Sequence, residues 1–382
     1  IESHKPTPFW RLIVPMDGWT LESGKIEDQV MARRILADAM GLPVEILEVR
    51  RRREHAKPPT LFDLTGLQKA MSDRHGLTAE QTLDCLQHLY EMKVATYPRT
   101  DSKYITHDDV DGLKELLQPK YALGFLDQKP VEAIHDLYSA GGFDPMRCVA
   151  DDKVQGHTAI LPTRRLTYDV FQHDLTDMER EVIAVILTRM WSACATDRVH
   201  DMVKVEAVLD ERHADGSMER VPLSASSDVT VEAGWIAIEG TSRTDDAEKK
   251  PVNRIPDSLG KGPLPQSGAP SLTEGVSAPP KPFTEATLLS AMEHASRFVA
   301  DSDLKAALDD DTSHSGGIGT PATRAGILES LVKSGYLQRK GKQLRSTPAG
   351  RMLVGVAIDE LKDVKLTAQW EQSLADIEQG KG

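Results

Sequence analysis

The chain has only three cysteines among its 382 residues. Cys85, Cys148 and Cys194 stand far apart and none belongs to a C-x-x-C pair, which argues against a disulfide framework and a cysteine-rich zinc site. They read as buried structural thiols of a protein in a reducing cytosol, so a cytoplasmic location is expected. No apolar run approaches the ~20 residues of a membrane helix. The longest surrounds Val182 to Leu187, and no membrane partner is expected. There is no Walker loop and no other ATP signature. Positive charge is short as well, with 46 Lys and Arg against 59 Asp and Glu and a net charge of −13. No leader pattern is read at the start, and Ile1 in place of methionine reads as a start internal to a longer protein. What remains is an ordinary globular composition, 40% hydrophobic and 27% charged, with room for two or three domains.

The stretch that organises the rest is Ala95-Thr96-Tyr97-Pro98-Arg99-Thr100-Asp101-Ser102. Thr78 with Gln81 forms a capping box ahead of it, opening a helix to Met92 with Leu83, Leu86, Leu89 and Tyr90 as its apolar stripe. Val94 to Tyr97 reads as a short strand ended by Pro98. Tyr97 then stands at the start of a turn beside Arg99, whose fork suits a phosphate. Thr100 and Ser102 add hydroxyls, and Asp101 can orient the arginine. Such a set could support phosphoryl transfer to the tyrosine hydroxyl. On the residues alone, an ordinary Tyr-Pro-Arg turn before an Asp/Ser cap is the commoner reading.

The octapeptide resembles the active-site signature of type IA DNA topoisomerases. Leu61-Phe62-Asp63-Leu64-Thr65-Gly66-Leu67-Gln68 and Leu89-Tyr90-Glu91 resemble the same family, its bacterial topoisomerase III branch above all. The resemblance implies that Tyr97 is the nucleophile that becomes 5′-phosphotyrosyl-linked and that Arg99 positions the scissile phosphate. Asp151-Asp152-Lys153-Val154-Gln155-Gly156-His157-Thr158-Ala159-Ile160-Leu161-Pro162-Thr163 resembles the family's His-x-Ala-Ile-x-Pro-Thr element. It makes His157 a third catalytic candidate, able to reach a phosphate or pass a proton. Thr158 stands where relatives often carry a second histidine. Gly316-Gly317-Ile318-Gly319-Thr320-Pro321-Ala322-Thr323-Arg324 places a glycine loop ahead of a helix capped by Thr320, with Pro321 at its first position. Backbone amides there could cradle phosphate, and the loop resembles the family's Gly-Ile-Gly-Thr-x-x-Thr-Arg element on the DNA-binding face. The candidate DNA contacts are Thr100, Asp101, Ser102, Lys153, Thr320, Thr323 and Arg324.

The fold class implied is multidomain α+β, a toroid fragment of the type IA kind. Residues 1–57 and 198–280 would form a discontinuous β-rich arch, 58–197 a mainly helical tyrosine domain, and 281–382 a helical base. In the first segment the strands are Phe9 to Pro15 and Val44 to Val49 around a helix from Asp28 to Met40. Met202 to Leu209 and Val229 to Ile238 are the return strands, followed by a Pro/Gly/Ser-rich tract from Asn253 to Pro282 that is a linker or a long irregular crossing. Thr65 to His75, stopped by Gly76, and the apolar Met178 to Trp191 are helices of the tyrosine domain. Thr284 caps a further helix. Ala322 to Lys333, Tyr336 to Gln338, a turn at Lys340-Gly341-Lys342, Gln343 to Arg345 and a helix after Thr347-Pro348 read as a winged helix. Arg50 to Arg53 and the group Lys333, Arg339, Lys340, Lys342, Arg345 and Arg351 are solvated faces or DNA contacts.

One family element is absent. The acidic Asp-x-Asp-x-Glu cluster of a Toprim domain, which the resemblance implies holds Mg²⁺, has no counterpart on an apolar strand here. Asp301-Ser302-Asp303 reads as a solvated surface and Asp309 to Asp311 as a loop. A free phenol, with its pKa of about 10, is a weak nucleophile at neutral pH. The expectation is a monomeric core that binds single-stranded DNA, uses no ATP and holds no metal itself. Mg²⁺ would reside on a Toprim domain outside this chain. A non-cleaving single-stranded DNA clamp and a winged-helix DNA-binding protein are the competing readings.

Overall fold

The computed structural model describes residues 4–212, 218–240, 253–299, 305, 317–378 and 380. Asp301-Ser302-Asp303, Asp309 to Asp311, Gly316 and the polar stretch 241–250 lie outside them. The chain divides into two compact units.

The first unit comprises Ile1–Lys57, Asp197–Ile236 and Gly240–Lys281. Its strands are β1 (Pro8–Met16), β2 (Trp19–Ser23), β3 (Val44–Ala56), β4 (Arg198–Arg212), β5 (Met218–Glu232), β6 (Gly262–Leu264) and β7 (Ser271–Val276). They pair antiparallel in the order β6-β3-β4-β5-β2-β1-β7. Alternate residues of β1, Trp10, Leu12, Val14 and Met16, are buried on one face, as a strand's period of two requires. Trp19 and Leu21 of β2 join them with Val205, Ala207 and Leu209 of β4 and Val221 and Leu223 of β5. Helix α1 (Gln29–Ala39) adds Ile35 and Ala39 to this core, and Asp28 caps it by accepting from the Met31 amide at 2.9 Å.

Three expectations are corrected here. β3 does not stop at Val49 but pairs with β4 from Glu45 opposite Val208 to Ala56 opposite Arg198. Its far half is exposed and is held by the backbone ladder and by cross-strand pairs such as Arg53 with Asp201, at 2.8 and 2.9 Å, rather than by burial. The tract from Asn253 to Pro282 is not simply a linker, because it contains β6 and β7, the two edges of the sheet. Pro263 is tolerated at an edge, and Phe9 lies across Gly275, where a Cβ would come within 2.5 Å of its ring. Likewise β5 ends at Glu232, and Ile236–Glu239 turn into a short helix, α7.

The second unit comprises Pro58–Thr196, Ala237–Glu239 and Pro282–Gly382. Its helices are α2 (Leu64–His75), α3 (Ala79–Glu91), α4 (Val110–Leu116), α5 (Gln128–Ser139), α6 (Asp177–Cys194), the end of α7, α8 (Glu285–Glu293), α9 (Pro321–Lys333), α10 (Pro348–Val356) and α11 (Lys365–Glu378). The apolar α6 buries Val182, Ile183, Ile186, Met190 and Trp191, with Phe143 edge-on to Trp191 at 5.0 Å. Gly76 ends α2 with φ +70, and α2 packs on α3, α6 and α8. Between α9 and α10 a hairpin of β8 (Leu337–Lys340) and β9 (Gln343–Ser346) turns at Gly341 and Lys342. Cys85, Cys148 and Cys194 are buried free thiols. Among the described residues no helix is long and apolar enough to cross a membrane.

Candidate active site

The tyrosine turn is built by the end of α3. Met92 is the C-cap, and Lys93 takes the left-handed conformation with φ +63. Its amide donates to Tyr90 O at 2.8 Å while that of Val94 donates to Leu89 O at 2.9 Å. This is a Schellman motif with lysine in the usual glycine position. It throws the chain sideways into Val94-Ala95-Thr96, which lies along residues 159–163. The Thr96 amide donates to Leu161 O at 2.9 Å and its hydroxyl to Ala159 O at 3.0 Å, while the Ile160 amide donates to Phe62 O at 2.8 Å. The strand expected over Val94 to Tyr97 therefore reduces to one bridge, Ala95 with Pro162. Pro98 has no N–H to continue it.

This stitching sets His157 against Tyr97. The two rings stack with centroids 4.0 Å apart and planes at 28°. Tyr90 stands edge-on to Tyr97 at 5.6 Å. Tyr97 is half-buried and touches both rings, while His157 is exposed. The histidine meets the tyrosine face to face, as a stacked pair. Arg99 is exposed, and its Nη1 donates to Gln87 Oε1 on α3 at 2.6 Å. Gln87 takes the role expected of Asp101, which is exposed.

Thr100 and Ser102 face the opposite way, at 2% and 3% exposure. Thr100 donates to His157 O at 3.2 Å and accepts from the Ser102 amide at 3.1 Å. Ser102 donates to Tyr104 O at 3.1 Å and Lys153 O at 3.3 Å. Both hydroxyls therefore join the turn to residues 153–157 rather than lying open to a ligand. Lys153 is exposed, with Nζ 5.1 Å from the centre of the Tyr104 ring.

The glycine loop is the second candidate region. Thr320 and Thr323 are exposed and close a capping box at the start of α9, the Thr320 amide donating to Thr323 Oγ1 at 2.9 Å. Gly317 lies so close to the end of α8 that a Cβ would fall 2.2 Å from Met292 O. Arg324 is the correction in this region: it was expected among the phosphate contacts but is 1% exposed. One turn into α9, its side chain runs inward along the loop. Nε donates to Ile318 O at 3.1 Å and Nη1 to Thr65 Oγ1 at 3.2 Å, while Nη2 has no hydrogen-bond partner among the described residues. Burial lowers its pKa, against the pull of Glu293 and Asp63.

A family model described as DNA topoisomerase matches residues 1–382. The chain belongs to the type IA DNA topoisomerase family. DNA topoisomerase 3 of Bacillus subtilis is 30% identical over 390 residues, covering 100% of this chain and 51% of that protein. DNA topoisomerase 3 of Shouchella clausii is 33% identical over 362 residues, covering 94% and 46%. The chain spans about half the length of the curated relatives it matches. Its mixed α/β fold is similar to that of full-length topoisomerase I from Thermotoga maritima, with a TM-score of 0.67 at 19% identity over 100% of this chain and 57% of that one.

Sequence reasoning passed over Gln87 and placed Tyr90 in the apolar stripe, although Tyr90 is 40% exposed. The signal was their spacing: three residues apart on α3, they share a face that ends beside the turn. Among the described residues no group of three or more His, Cys, Asp or Glu side chains could hold a metal ion.

Proposed function

We propose that this chain is the strand-cleaving core of a topoisomerase that breaks and rejoins single-stranded DNA through Tyr97. The observation that carries the reading is the half-buried Tyr97 ring, stacked on His157 with the exposed Arg99 guanidinium two residues on. Contacts with the His157 and Tyr90 rings limit the swing of the side chain, so its hydroxyl is held ready for an in-line approach. As the bond from the phenolic oxygen to phosphorus forms, the bond from phosphorus to the 3′ oxygen breaks. The phenol gives up its proton, the 3′ oxygen takes one up, and the 5′ phosphate stays on the tyrosine. Arg99 and His157, both exposed beside the ring, stabilise charge on the phosphate oxygens, while Thr100 and Ser102 hold the turn. Religation is the reverse, so bond energy is conserved and no ATP is consumed. In this reading the β-rich unit is the arch that moves to let a second strand pass, for relaxation or decatenation. The helix-hairpin-helix from α9 to α10 is a winged-helix-like part of the base. Thr320 and Thr323 at the start of α9, with Lys153 and Asp101, border the strand's path. Acid–base and Mg²⁺ functions come from a Toprim domain outside these residues.

The test is covalent trapping. A labelled single-stranded oligonucleotide is incubated with the chain and Mg²⁺, with and without an added Toprim domain, then denatured and resolved on a gel. An adduct that needs Toprim and disappears in Tyr97→Phe, with binding retained, is expected. An adduct that survives Tyr97→Phe would refute the assignment, and binding without any adduct would favour a non-cleaving clamp.

A further inference from the structure

Behind the tyrosine turn lies a set of charges that the transesterification does not use. Lys103, the residue after the signature, places Nζ 3.3 Å from Glu293 Oε1 and 3.7 Å from Asp63 Oδ2. Lys69 of α2 places its Nζ 3.2 Å from Glu293 Oε2. Each carboxylate oxygen of Glu293 thus holds one ammonium, and the side chain is 13% exposed. Burial pushes the Glu293 carboxyl up, but Lys69 and Lys103 outweigh it and hold the group below its ordinary value. Asp63 caps α2 through the Gly66 amide at 2.7 Å. Its burial raises its pKa despite Lys103.

A bridge of this kind is a poor way to gain stability, since apolar side chains of similar volume often do as well. Its place in the chain suggests what it does. On one side Lys103 continues the tyrosine turn, which is also fixed to α2 by the Leu64 amide donating to Thr100 O at 3.1 Å. On the other side Glu293 is the last residue of α8, and the glycine loop is laid on the same helix end. The Ile318 amide donates to Met292 O at 2.9 Å, and Gly317 leaves space only for hydrogen beside Met292 O and Glu293 O. Turn and loop are therefore fastened to one two-residue segment, the turn by a side chain and the loop by backbone.

We infer that Glu293 is a positioning residue, with Lys103 as its partner, that fixes the tyrosine turn in register with the start of α9. This rests on the reading of Tyr97 as nucleophile. One DNA strand is then held at Thr320 and at Tyr97 by a rigid frame, so its scissile phosphate meets the phenol squarely. A displacement of about 1 Å at a reacting centre can cost about 100-fold in rate.

The test uses the full protein that carries this chain. Single-turnover adduct formation at saturating oligonucleotide, oligonucleotide affinity and thermal midpoint are measured for Glu293→Gln, Lys103→Met, Lys103→Arg and the Glu293→Gln/Lys103→Met pair. Both single variants should slow adduct formation about 10- to 100-fold with affinity within about threefold. The pair should be no slower than the worse single variant, and Lys103→Arg should recover the rate to within about threefold. Rates that match the unaltered protein, losses that add in the pair, or affinity falling in step with rate would each overturn the positioning role while leaving Tyr97 in place. Absence of a Tyr97-dependent adduct in the unaltered protein would overturn both readings together.

Discussion

Two arginines of the helical unit carry the same sequence promise and opposite structural fates. Arg99 follows the tyrosine by two residues, is exposed, and donates to the side-chain amide of Gln87. Arg324 follows the glycine loop, is buried, and is committed to Ile318 O and Thr65 Oγ1. A guanidinium beside a phosphate-binding motif looks the same in both contexts. What separates them is geometry. Arg99 leaves a turn that runs over the surface, with Thr100 and Ser102 taking the inward positions. Arg324 sits on the inner face of α9, where Pro321, Ala325 and Leu328 are also buried. One stands open at the surface, and the other ties the glycine loop to α2.

Substituting each arginine should separate the two roles. Arg324→Ala removes two buried hydrogen bonds and leaves Asp63 and Glu293 short of a countercharge, so a loss of roughly 3 kcal/mol or more is expected by chemical denaturation. Arg99→Ala should change stability by no more than about 0.5 kcal/mol. It should slow adduct formation by roughly 10²- to 10³-fold, the usual effect of deleting a charge-stabilising donor. If Arg324→Ala slowed cleavage without moving the denaturation midpoint, the contrast would fail.

Much of this frame was legible in residue order. The Thr78/Gln81 capping box, the Gly76 stop of α2, the Asp28 cap and the apolar α6 all follow local rules and lie where those rules put them. The pairing of His157 with Tyr97 could be suspected only through family resemblance, because sixty residues of chain separate their positions. Three things were hidden for physical reasons. The outer half of β3 is polar on both faces, so no alternation marks it. β6 and β7 tolerate proline and glycine because they are edges. The inward turn of Arg324 depends on the neighbouring α2 and the carbonyls of the glycine loop, which no local pattern encodes.

The network around Arg324 has a pH signature that Arg99 lacks. The Glu293 carboxyl is held below its ordinary 4.5 in the folded chain. In the window between that ordinary value and the lowered one, the unfolded chain binds a proton that the folded chain does not. The stabilisation is therefore complete above the ordinary carboxylate range and is lost as pH falls through the lowered value. The gap in thermal midpoint between the unaltered protein and Glu293→Gln should narrow as pH is taken from about 7 to about 3.5. A gap that still widens as pH falls through the carboxylate range would mean that burial, and not the positive charge of Lys69, Lys103 and His294, dominates at Glu293. Arg99→Ala should show a pH-independent difference over the same range.

The smallest effect concerns how the two regions are entered. The glycine loop reaches α9 through Gly317 and Gly319, both at positive φ, whereas the tyrosine turn leaves α3 through Lys93 at φ +63. Lysine in that conformation carries a cost of about 1 kcal/mol that glycine does not. The two hydrogen bonds of the motif come from the backbone and remain with either residue. Glycine, in turn, loses more freedom on folding, which offsets part of the gain. Lys93→Gly should therefore stabilise the protein by a few tenths of a kcal/mol to about 1 kcal/mol, measured by denaturant unfolding. Because the Thr163 hydroxyl, bonded to Lys93 O at 2.5 Å, and the Thr163 amide, bonded to Val94 O at 2.9 Å, still hold the chain's exit, the Tyr97 ring should keep its place and the adduct should form at an unchanged rate. A stabilised variant that cleaves more slowly would show that the left-handed lysine is retained for the tyrosine's sake. The entrance to the turn would then belong to the active site in a way that the glycine loop's does not.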